Sequence, residues 1–355
     1  MKTIQPLNMK TIISVFIQRK VILLCVLTIF TLFTRAQDIH FSQLFETPLL
    51  RNPSLAGLFE GDVRVQGVYR DQWNSFANAY RTGSFNAEYK MPVGQSDNFF
   101  TLGGQLVFDK AGSAGLTTTH VLPAINFHKS LSTEKSAYLS VGFLGGLVQK
   151  RIDASKITTD NQYTNARFDP NSFSAENMSN VNHSYFDGSA GISFNTEFGS
   201  NNLFYFGGAY HHFNRPRSSF YKNMGIEIHA KYVGSIGAKF NIADHGAFTL
   251  QADYSSQGSF KEVIGGIMYS MNLVDTYDGP EYVLHIGSML RLRDAVVPTV
   301  KIEKNKLAIA LSYDVNVSKL KTASMSRGGM ELSISFRNFL DRENSSKGVL
   351  FCPRF

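Results

Sequence analysis

The sequence predicts an all-β protein, a transmembrane antiparallel β-barrel of about 14 strands behind an N-terminal signal peptide. Three observations carry that expectation. Apolar and polar residues alternate in short stretches from residue 63 almost to the end. Several stretches exceed the five or six residues usual in water-soluble sheets and reach the roughly 9 to 11 that a tilted strand needs to cross a bilayer. The notable long connections fall only at odd-numbered places, as in a barrel with short turns at one end and long loops at the other.

The first 36 residues stand apart: Arg19 and Lys20 precede an apolar run at 21–33, and Thr34, Arg35 and Ala36 resemble a cleavage site before Gln37. The run is too short for a spanning helix, which needs roughly 20 residues. Five of the 35 basic residues and none of the 28 acidic ones lie in this leader, so the remaining chain is close to neutral, with scattered Lys and Arg. A nucleic-acid-binding stripe is thereby excluded. Cys352 is the one cysteine after the leader, which rules out an intramolecular disulfide and a Cys-based metal site. No linker divides the rest, so the expected parts are a signal peptide at 1–36, a periplasmic or lumenal segment at 37–61, the barrel at 62–339 and a periplasmic tail at 340–355.

Taken in order, the first strand alternates Val63, Val65 and Tyr69 with Arg64, Gln66 and Arg70. The second, GSFNAEYKM at 83–91, alternates without a fault, and the third sets Phe100, Leu102, Leu106 and Phe108 against Thr101, Gln105 and Asp109. A weaker fourth spans 117–128, a fifth is marked by Leu139, Val141, Phe143 and Leu147, and a sixth opposes Phe186, Ala190, Ile192 and Phe194 to Asp187, Ser189, Ser193 and Asn195. The seventh, at 203–212, is weak. The eighth is the longest alternation, from Ile226 to Phe240, and the ninth and tenth carry Phe248, Leu250, Ala252, Tyr254 and then Val263, Ile267, Tyr269, Met271. Segments 282–292 and 295–302 follow, then Leu307, Ile309, Leu311, Tyr313 and finally Met330, Leu332, Ile334, Phe336. Pro123 and Pro298 count against two of these strands, because a closed barrel has no edge where a missing N–H is harmless.

A water-soluble sandwich would alternate too. Strand length and the aromatic load, 29 Phe and 15 Tyr with Tyr69, Tyr89, Tyr254, Tyr269 and Tyr313 near strand ends, favour lipid outside. Long connections at 150–183, 213–225 and 318–327 are the fifth, seventh and thirteenth, which puts them outside if the termini are periplasmic. Phe85, Ala87, Tyr89 and Met91 are then expected to face lipid, and Asn86, Glu88 and Lys90 the lumen, with Glu88 and Lys90 partly neutralising each other.

No catalytic, metal or cofactor signature emerges, and no enzyme is expected. His211 and His212 are adjacent, so on a strand they would point to opposite faces. Asp187 and Glu227 are a carboxylate pair that could meet across strands, and lumenal ion pairing is the commoner reading of such groups. Segment 37–61, with Pro48, Pro53 and a turn-like Asn52-Pro53, either plugs the lumen or lines the rim.

Several motifs lie in a fixed order: FSQLFETPLLRNPSLAG at 41–57, VYRDQW at 68–73, YFDGSAGISF at 185–194, LSYDVNVSKL at 311–320, GGMELSISF at 328–336 and the closing CPRF. Together they resemble the PorP/SprF family, outer-membrane β-barrels associated with type IX secretion and gliding motility in the Bacteroidetes. The motif positions Asn52, Pro53, Gly57, Arg70, Trp73, Tyr313, Asp314, Glu331, Cys352, Pro353, Arg354 and Phe355 match that pattern, with no individual role assigned. The resemblance implies a barrel in the outer membrane that works with type IX secretion components and helps to export or hold at the surface a secreted adhesin-like protein through its C-terminal sorting domain. The alternative is a porin-like channel or ligand-specific transporter.

Overall fold

The computed structural model describes residues 38–340 except 73–79, 95–96, 133–135, 165–166, 170–171, 173–179, 200–201, 222–225, 243–245, 277–278 and 320. The chain divides into two compact units, Met1–Asp38 and Ile39–Phe355, and the second contains the whole barrel. The expected leader and the tail beyond residue 340 lie outside the described residues.

Fourteen antiparallel strands close into a barrel, each beside its sequence neighbours, with the last returning to the first. They are β1 (Val63–Gln72), β2 (Tyr80–Pro92), β3 (Phe99–Ala111), β4 (Leu116–Ser130), β5 (Ala137–Arg151), β6 (Asn182–Phe198) and β7 (Asn202–His211). The second half comprises β8 (Lys231–Ile242), β9 (Gly246–Gln257), β10 (Phe260–Thr276), β11 (Gly279–Arg291), β12 (Ala295–Lys304), β13 (Leu307–Asn316) and β14 (Arg327–Asn338). Closure runs through ten pairs from Val63↔Asn338 to Gln72↔Gly329 and leaves no edge of unpaired backbone, the condition for crossing hydrocarbon with strands. Lengths of 10 to 17 residues suit that task.

The alternation has a direction. On β2, Phe85 is 45% exposed on the outer wall whereas Asn86 is 1% exposed on the inner one, and the same pattern recurs around the barrel. Tyr69, Tyr89, Tyr254 and Tyr313 stand on the outer face. The fifth connection, between β5 and β6, and the seventh and thirteenth, β7–β8 and β13–β14, are long and share one end, while short turns such as Asn305–Lys306 close the other.

The prolines are accommodated rather than avoided. Pro123 pairs with Gly104 on the β3 side, while the β4–β5 ladder lapses between Val121↔Leu147 and Ala124↔Leu144. Gly146 leaves the room, since a Cβ there would press on the Pro123 ring and the Val121 carbonyl. Pro298 behaves likewise, paired with Ser288 while the β12–β13 ladder lapses between Val296 and Thr299. A lapse on one flank absorbs the missing N–H without a bend in register.

Three expectations need correction. The eighth strand begins at Lys231, not Ile226: residues 226–230 belong to the β7–β8 connection, where Glu227 bridges to Arg217. Asp187 and Glu227 therefore do not meet, Asp187 binding His212 and Glu227 binding Arg217. His211 and His212 do not point to opposite faces, because β7 ends at His211 and His212 adopts a left-handed backbone (φ 55°) that folds its ring back onto Asp187. Both rings are buried.

Candidate functional site: a plugged lumen

The segment after Asp38 runs through the barrel as a plug rather than lining its rim. It contains short helical turns at Leu44–Glu46, Pro48–Arg51 and Pro53–Leu55, broken by prolines at Pro48 and Pro53, so it stays a compact irregular cord rather than one helix. Its direction follows from its partners. His40 and Ser42 meet Arg70, Arg291 and Asp314 near the long-connection end, Asn52 lies midway, and Phe59 meets Lys90 near the short-turn end, where Asp62 leads into β1.

The first half is held by charge. The Glu331 carboxylate accepts the backbone N–H groups of Ser42 (2.7 Å) and Gln43 (2.9 Å) and a guanidinium N–H of Arg70 (2.8 Å). Asp314 accepts from Arg70 (2.9 Å), Arg291 (2.7 Å) and the Ser42 hydroxyl (2.8 Å). Three motif positions, Arg70, Asp314 and Glu331, thus converge from β1, β13 and β14 on the start of the plug. Further in, Glu46 accepts from Gln66 (2.8 Å) and pairs with Lys301 (2.9 Å), and Lys301 and Arg337 share Glu303 at 3.0 and 2.8 Å. Each charge is taken out of water only with its partners in place, the condition under which burial is tolerable.

The second half is held by shape as well. Arg51 makes a two-pronged bond to Asp253, both contacts at 2.6 Å, and His211 binds its carbonyl at 3.1 Å. Asn52 donates to the carbonyls of Ile192 and Gly208 at 3.2 Å while its own oxygen caps Ser54. That approach needs bare wall: a Cβ at Gly191 would overlap the Asn52 side chain, and one at Gly142 would lie 2.5 Å from the Pro53 carbonyl. Gly57 has φ +84°, and a side chain there would overlap Thr101. Asn126 donates to the carbonyls of Ser54 (2.6 Å) and Ala56 (2.8 Å), and His128 binds Ala56 at 2.7 Å while stacking on Phe99 at 4.0 Å. Apolar knobs Leu49, Leu55, Ala56 and Leu58 fill the remaining space.

The expected lumenal trio is all inside, with different partners from those anticipated. Glu88 binds Arg64 (2.7 Å) and the Gly57 N–H (2.8 Å) rather than Lys90, whose ammonium reaches the Phe59 carbonyl and lies over its ring. Asn86 bonds Gln66 and Glu88. Tyr313 faces outward, and Trp73, Cys352, Pro353, Arg354 and Phe355 lie outside the described residues. Sequence reasoning missed Arg51, Asp253, Glu46, Lys301 and Arg291. The available signal was glycine on polar-facing columns, such as Gly191 between Ser189 and Ser193, where bare wall marks something pressing from within.

Two gaps beside the plug are small among the described residues. A cavity of about 50 Å³ beside Phe45, Arg64, Lys301 and Arg337 and another of about 30 Å³ beside Arg51 and Tyr205 have room for a few waters. Among the described residues no group of three or more His, Cys, Asp or Glu side chains is placed to hold a metal ion.

Residues 33–336 match the family model described as type IX secretion system membrane protein PorP/SprF. No curated protein matches the chain. Among solved structures, the toluene transporter TodX of P. putida is similar at 9% identity, covering 86% of this chain and 95% of its own, with a TM-score of 0.46. A FadL homologue of Pseudomonas aeruginosa gives 10% identity, coverage of 82% and 94% and a TM-score of 0.44. Omp33 of Acinetobacter baumannii gives 10%, 78% and 98%, and 0.39.

Proposed function

Since the chain belongs to the PorP/SprF family of type IX secretion system membrane proteins, we propose that it is a non-enzymatic outer-membrane component of that machinery. In this role it helps to export, or hold at the cell surface, an adhesin-like partner through the partner's C-terminal sorting domain, in a secretion and gliding apparatus of the Bacteroidetes type. The long-connection end faces outward and the short turns face the periplasm. The observation that carries a scaffolding role over a passive pore is the plug itself: residues 40–59 run the length of the lumen and are bonded to strands on several sides of the wall. A porin-like channel or ligand-specific transporter needs a continuous wet path, which this plug would have to vacate.

Affinity purification of the tagged chain from membranes in mild detergent tests the reading. The expected result is co-purification of type IX secretion components together with one large secreted protein. A barrel recovered alone from cells actively secreting such cargo would contradict it.

A further inference from the structure

The described residues of the connections β11–β12 (292–294) and β13–β14 (317–319 and 321–326) form one surface at the long-connection end. The carbonyl of Asp294 accepts the backbone N–H groups of Val317 (2.8 Å) and Ser318 (3.1 Å), and Asn316 ties both ends of the longer connection by bonding Ser324 (3.1 Å) and the Arg327 carbonyl (2.8 Å). Arg293, Met325 and Ser326 are held in left-handed backbone (φ 64°, 50° and 63°), which side-chain-bearing residues seldom adopt and which tends to mark functional segments. The result is display: Met325 is 77% exposed, with Leu292 and Val317 also exposed.

Around these apolar groups stand four exposed cations, Arg293, Lys319, Lys321 and Arg327, with no carboxylate within 4 Å of them among the described residues. The carboxylate on this stretch, Asp294, is taken by Arg291 at 2.5 Å. Arg291 in turn holds Ser42 and Asp314, so the surface is bonded directly to the anchor of the plug.

We infer that this surface docks a protein partner through an acidic segment carrying apolar side chains. Methionine and arginine are favoured in interface cores, and a cationic border selects and steers an anionic partner. Met325 and Lys321 stand on the connection beyond the strand ends rather than on the lipid-facing columns, which favours a protein over lipid phosphates. The inference rests on the scaffolding role, and names the chemistry of what that scaffold would hold.

The full chain in mild detergent is titrated, by fluorescence anisotropy, with a labelled decapeptide of alternating glutamate and leucine and with its lysine-for-glutamate counterpart. The acidic peptide alone should bind, more weakly as salt rises, and Lys319→Glu with Lys321→Glu should weaken it at least about tenfold with the barrel's heat-modifiable gel mobility unchanged. Met325→Ser should weaken it less. No binding of the acidic peptide, equal binding of both peptides, or equal binding by parent and double variant would overturn the inference. So would loss of association with phosphatidylglycerol vesicles in the double variant while peptide binding stays intact, since that assigns the cations to lipid. Because the readout needs no secretion component, failure of co-purification would remove the proposed function while leaving this surface standing.

Discussion

Arg51 and Asp253 show how little tolerance the lumen has for a missing charge. Their two 2.6 Å contacts are shut away from water, so Asp253→Ala strands a guanidinium and should lower unfolding stability by about 3–5 kcal/mol, whereas Arg51→Met combined with Asp253→Leu should cost less. Urea unfolding of the detergent-solubilised barrel, followed by its heat-modifiable mobility, measures both. Gly142→Val probes shape instead: its Cβ would press on the Pro53 carbonyl and should loosen the plug without touching any ion pair. Accelerated proteolysis near residue 53 is the expected sign, and an unchanged cleavage rate would argue that the plug is not seated as described. Outside the membrane span, the Asp153 carboxyl is held down at about 2 by the Ser155 hydroxyl and then by Lys156. Its contribution to the loop is therefore complete above its ordinary range near 4 and is lost only as pH falls through about 2, which a carboxyl NMR titration would read. At this scale the sequence was informative in part. Arg70, Asp314 and Glu331 stood out by motif and do converge, but Arg51 and Asp253 are 202 residues apart, and the bare-wall glycines mark that something presses from within without saying which residues meet.

The strand β2 carries the contrast on which the membrane reading rests. Ala87→Arg would place a cation on the lipid face at a cost of roughly 2–4 kcal/mol near the midplane and should reduce assembled barrel, while Ala87→Leu should not. Read from the sequence alone, Ala87→Arg should impair assembly far more than Asn86→Arg, whose side chain is lumenal. The plug removes that distinction, because Asn86 is 1% exposed and bonded to Gln66 and Glu88, so an arginine there is overpacked as well. Membrane yield of the Ala87 pair is the cleaner comparison, and equal yields would count against lipid on that face. Alternation made β2 and the total of fourteen strands legible, because period two is imposed by the pleat itself. It misled at residues 226–230, where a hairpin-like connection anchored by the Arg217 to Glu227 bridge continues the same pattern without joining the wall.

At the scale of the whole molecule, the wall and its filling have different sources of legibility. The wall repeats one rule on every strand, so it can be read from composition and spacing. The plug is a single irregular cord whose partners come from β1 to β14, and its path from the long-connection end to the short-turn end depends on pairings that no local signal encodes. Charge follows the same division: the lumen pairs acids with bases through the plug, while the outer wall is left to Phe, Tyr, Ile and Leu. Removing residues 39–59 should therefore leave unpaired charge facing water inside a barrel that still closes through β1 and β14, converting a plugged barrel into a conducting pore. Whether the lumen is sealed is decided by the single-channel conductance of the intact chain in a planar bilayer, set beside that of this deletion. A near-silent intact barrel and a steady open current from the deletion are expected; a steady pore-sized current from the intact chain, equal to that of the deletion, would refute the plug.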